Sequence, residues 1–141
     1  MSAEESKAVM RRFYEASGDV DRQIDLLGAD YVDHSLPPGM PPGAEGFRQL
    51  AAGFGQAFPD LQVTVEHLVA EGELVASRVT VTGTHRGPLL GMPATGRRVT
   101  FTSTNISRVA NGKIAEHWGN SDQLGLMQQL GAIPAPGAAG A

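Results

Sequence analysis

Apolar positions change their period along this chain, and each change marks a new kind of element. Val9, Met10, Phe13 and Ala16 recur at helical spacing behind Ser2, which forms a capping box with Glu5 three residues on. This first helix is predicted to end near Ser17-Gly18. Asp19 then caps a short second helix through Leu27, with Ile24, Leu26 and Leu27 as its buried side and Gly28 as its stop. Residues 31–34 read as a short strand ending at His34. Residues 35–43 hold four prolines and two glycines, a composition for a loop. A third helix over 44–58 follows from Phe47, Leu50, Ala51, Phe54 and Phe58, and Pro59 ends it.

From there the period is two. Leu61, Val63, Val65, His67 and Val69 alternate with Gln62, Thr64, Glu66 and Leu68. After a turn at Glu71-Gly72, Val75, Val79 and Val81 alternate with Ala76, Arg78 and Thr80. Residues 85–96 form a second loop whose Leu89, Leu90 and Met92 are expected at a pocket mouth or in a subunit contact. Strands over 97–109 and 113–121 flank Asn111-Gly112, a dipeptide suited to a type I′ hairpin turn. Asp122 caps a last helix over 123–130. This order is that of an α+β fold, with the helices packed on one face of a curved, mostly antiparallel sheet around a cone-like cavity. One domain spans 1–133, and the Ala/Pro/Gly tail over 134–141 is expected to be disordered.

Composition narrows the function classes. A chain of 141 residues supports one core, and the absence of cysteine excludes disulfides and thiolate metal sites. A formal charge of −4 without any Lys/Arg run argues against nucleic acid or an anionic membrane as partner. No apolar run approaches the roughly 20 residues of a membrane span, and the opening MSAEESK lacks a signal-peptide layout, so a cytoplasmic location is expected. The histidines are scattered, without the spacing of a zinc site, and no metal or other cofactor is expected.

Motifs along nearly the whole chain carry a resemblance: RRFYE at 11–15, DYVDH at 30–34, AFPDLQVTVEHLVAEGE at 57–73, GTHRGPLLGMPATGRRVTF at 83–101, NGKIAEHW at 111–118 and DQLGLMQQLG at 122–131. The chain resembles the SnoaL-like polyketide cyclases of the nuclear-transport-factor-2-like superfamily. The resemblance implies a cone-like barrel, a pocket-facing Tyr14, and a cofactor-free intramolecular aldol closure in which a pocket Asp exchanges protons with help from a neighbouring His. Counted from Gly112-Lys113-Ile114, that Asp position falls on Gly119 and the His position on Asn105. An amide and a bare glycine cannot take over those roles.

Proton transfer is therefore sought in other groups. His34 shares the parity of Val32 and faces a pocket if Val32 does; otherwise it is a structural His at a loop start. His85 shares the parity of Val79 and Val81. His117 lies beside the space that Gly119 leaves, while Trp118 has the opposite parity, so one lines the cavity and the other packs outside unless a bulge at Gly119 changes the register. His67 is assigned to sheet packing or a subunit contact. Asp122 is either a general base or a helix cap. The catalytic candidates are His34, His117 and Asp122; Tyr14, His85, Phe101, Asn105, Trp118 and Gly119 are the substrate-binding ones. The expected function is acid/base catalysis on a small hydrophobic polyketide-like carbonyl, lactone or epoxide compound. The alternative is a non-catalytic binding or dimerisation domain. Apolar residues on both strand parities, with the resemblance, predict a homodimer or larger homo-oligomer.

Overall fold

The computed structural model describes residues 2–134; the tail expected to be disordered lies outside them from 135 on. The order is α1 (Ala3–Glu15), α2 (Val20–Ile24), β1 (Leu27–Asp33), α3 (Gly43–Ala57), β2 (Gln62–Glu71), β3 (Leu74–Thr84), β4 (Arg98–Ala110), β5 (Lys113–Ser121) and α4 (Gln123–Gln129). The predicted capping box at Ser2 and Glu5 is present, as are the side-chain caps from Asp19 and Asp122. The strands form one sheet in the order β1-β5-β4-β3-β2, with β1 parallel to β5 and the other pairs antiparallel. Asn111 (φ 52°) and Gly112 (φ 75°) turn β4 into β5 with positive φ at both positions. No helix among the described residues is long and apolar enough to cross a membrane.

One boundary differs from the sequence reading. The strand starts at Leu27, so Gly28 lies inside β1, packed against the Ile114 carbonyl, and is not a helix stop. The 85–96 loop also differs, since Leu89 is buried with Met92 packed against the same core, and only Leu90 is fully exposed.

Two bulges decide which side chains face inward. On β2 the pairing slips between Val65 and His67, so Val63, Val65, Leu68 and Ala70 face the core side while His67 and Val69 turn out. On β5 the slip lies at Ala115, between the Val109–Ile114 and Arg108–Glu116 pairs, and not at Gly119. Ile114 and His117 therefore both face in, and Trp118 faces out. The core has two clusters: one around Phe58, Val79, Val99, Phe101 and Leu126, the other around Val9, Met10, Tyr31, Val75, Val109 and Ile114. Between helices and sheet lies the cavity.

Candidate active site

The cavity holds about 460 Å³, within the range of small-molecule sites. Phe13, Phe47, Leu50, Phe54, Phe58 and Phe101 give it an apolar body. Gly18, Ala52, Gly55 and Pro59 are exposed lining residues and mark its rim. None of the Pro-rich 35–42 loop lines it. A polar strip runs along one wall: Asp33 on β1, His117 on β5, Asn105, Ser103 and Ser107 on β4, and Tyr14 on α1.

Most of the strip is hydrogen-bonded together. His117 Nδ1 donates to Asp33 Oδ1 across 3.1 Å, and Nε2 lies 3.0 Å from Asn105 Oδ1. Asp33, with only 4% of its side chain exposed, also accepts from the backbone N–H and hydroxyl of Ser35 and from the Tyr31 hydroxyl. Burial pushes the Asp33 carboxyl up, but hydrogen bonds from His117 and Ser35 outweigh it and hold the group below its ordinary value. An ionised Asp33 can only accept, so it is His117 Nδ1–H that donates to it. Ser103 donates to Asn105 Oδ1. The Tyr14 hydroxyl sits 2.6 Å from Ser77 Oγ; burial pushes this phenol up against opposing hydrogen bonds from Ser77 and Asn105.

Gly119 is the position over which this arrangement closes. A β-carbon there would lie 2.5 Å from Asn105 Oδ1 and 2.8 Å from His117 Cε1. The space that a side chain at 119 would need is filled by the His117 ring and the Asn105 amide, which meet above the bare backbone. Gly119 N–H in turn donates to Ser35 Oγ, tying β5 to the end of β1.

Of the sequence-predicted residues, Tyr14, Phe101, Asn105 and His117 line this cavity and Gly119 underlies it. The others do not. Val32 faces outward, so His34 follows it to the outer face, stacks on Trp118 at 4.6 Å and bonds Glu116 Oε2 at 2.8 Å. Trp118 is likewise outside. His85 is fully buried against Phe58 and held by Thr95, a structural position that anchors its loop. Asp122 Oδ1 accepts from Gly125 N–H at 2.9 Å, and as the α4 cap it lines no part of the cavity. Asp33 was missed. Its signal was the parity it shares with Leu27 and Tyr31, opposite to Val32. Among the described residues no group of three or more His, Cys, Asp or Glu side chains could hold a metal ion.

Comparison with known proteins places this geometry in context. The family model described as SnoaL-like polyketide cyclase matches residues 7–130. The chain is 31% identical over 129 residues to the aklanonic acid methyl ester cyclase DnrD of Streptomyces peucetius, covering 87% of this chain and 88% of that one. It is 30% identical over 117 residues to the nogalonic acid methyl ester cyclase of Streptomyces nogalater, covering 82% and 87%. Among solved structures it is similar to TsrD from Streptomyces laurentii, with a TM-score of 0.85 and 32% identity over 94% of this chain and 99% of that one.

Proposed function

The chain belongs to the SnoaL-like polyketide cyclase family and is an enzyme of the cyclase or isomerase type; from that premise we propose that it closes a ring in a polyketide ester without a cofactor, with His117 as the acid/base. The observation that carries this reading is the His117 imidazole on the cavity wall, held between the Asp33 carboxylate and the Asn105 amide. In the neutral ring Nε2 carries a lone pair, which cannot bond the acceptor oxygen of Asn105 and is open to a substrate C–H flanked by two carbonyls. The proton passes to Nε2. The electron pair left on carbon attacks a ketone carbon of the same molecule, the C=O π pair becomes an alkoxide, and the imidazolium returns the proton to it. Asp33 and Asn105 Oδ1 stabilise the ring while it is charged, since both of its nitrogens then donate to oxygen. Atoms balance, so the product is an isomer of the substrate.

The test is incubation with aklanonic and nogalonic acid methyl esters, the compounds for which the two relatives are named. Chromatography with mass detection should show a new species of unchanged mass that does not form with His117→Gln. No such species with any polyketide ester bearing a ketone would refute the reading.

We also propose that a second copy covers the outer face of the sheet. Trp118, Ile106, Ala76 and Val69 form one row in register across β5, β4, β3 and β2, with Trp118 at 38%, Ile106 at 45% and Val69 at 67% exposure. Beside the row, Arg108 pairs with Glu116 at 2.7 Å, and Arg78 lies two residues from Ala76 along β3. An apolar row flanked by charges of both signs suits a two-fold, self-complementary contact.

A further inference from the structure

Ser107 is 1% exposed, lines the cavity, and has no hydrogen-bond partner for its hydroxyl among the described residues. Leaving such a hydroxyl unpaired costs free energy, and valine or alanine would fill the position without that cost. It sits in mid-strand, paired with His117 on one side and Val75 on the other, two residues along β4 from Asn105. The polar strip thus extends beyond the residues that bond one another.

We propose that Ser107 Oγ is an oxygen-binding subsite, donating its hydrogen bond to a carbonyl of the bound molecule while the apolar body of that molecule packs against Phe13, Phe54 and Phe101. The proposal rests on the cavity being the substrate site and is independent of which residue moves protons. A carbonyl held at Ser107 fixes how a ligand lies relative to His117, because the two residues are cross-strand partners. Ser107 is a positioning residue in this sense, and it selects ligands that carry oxygen over hydrocarbons of the same shape.

Two matched probes test it: 1-tetralone, a bicyclic ketone, and tetralin, the same carbon frame without the oxygen. Equilibrium binding is measured by NMR titration for the wild-type protein and for Ser107→Ala, with thermal unfolding of each recorded alongside. Wild type should bind tetralone more tightly than tetralin. Ser107→Ala should weaken tetralone about 3- to 10-fold, the worth of one neutral hydrogen bond, and leave tetralin unchanged. Its unfolding temperature should stay the same or rise, because the lost hydroxyl had no partner in the fold. Tetralone bound no tighter than tetralin by the wild type, or equally well by Ser107→Ala, would overturn the proposal. So would a lowered unfolding temperature in Ser107→Ala, which would give the hydroxyl a structural partner. Because no proton transfer enters a binding constant, failure of the His117 mechanism would show in turnover and leave this result untouched.

Discussion

Asn105 and Gly119 are cross-strand neighbours, and a side chain at 119 would collide with both Asn105 and His117. The resemblance placed the cyclases' own Asp and His at Gly119 and Asn105, and the structure puts the His117 ring into the volume that a side chain at 119 would occupy. Gly119→Ala should therefore push His117 and Asn105 apart and lower turnover by at least tenfold, although alanine at this φ is not strained; full activity in that variant would contradict the interlock. Asp33 gives a second residue-scale test. Its folded-state pKa is lowered, so it contributes stability that is fully present above the unfolded value of about 3.9 and is lost as pH falls through the lower folded value. Thermal unfolding from pH 6 to pH 2 should show a shallower acid loss in Asp33→Asn than in wild type, since the variant has already lost that contribution at neutral pH. Asp33 escaped the sequence reading because a short strand offers only its parity, and Val32, an apolar residue, was the natural choice for the inward side.

At the scale of elements, most of the fold was legible. Caps at Ser2, Asp19 and Asp122, the turn at Asn111-Gly112, and the switch from helical to alternating period each rest on local chemistry that tertiary packing did not override. Bulges were not legible. The slips at Glu66 and Ala115 carry no distinctive residue, yet each reverses the facing of everything beyond it, which turned Val69 outward and His117 inward. Asp122 is open in sequence to two readings, base or cap, and the structure shows it capping α4. Asp122→Ala should cost about 1 kcal/mol of stability in denaturant titration, and Asp122→Asn much less, because Asn caps nearly as well.

At the scale of the molecule, sheet and helices enclose an apolar cavity with one polar wall, while the sheet's other face presents an apolar row to solvent. If a second copy covers that row, Ile106→Asp should shift the protein to monomer in sedimentation velocity at micromolar concentration without unfolding it. Wild-type protein already monomeric there would contradict the dimer. Which group moves the proton is a separate question, and two substitutions decide it. Turnover of a cyclising polyketide ester is compared in His117→Gln, Asp122→Asn and wild type at matched folding, checked by circular dichroism. His117→Gln should lose about 10²–10⁴-fold in kcat and Asp122→Asn should stay near wild type. Retained activity in His117→Gln, with activity abolished in Asp122→Asn, would contradict the account.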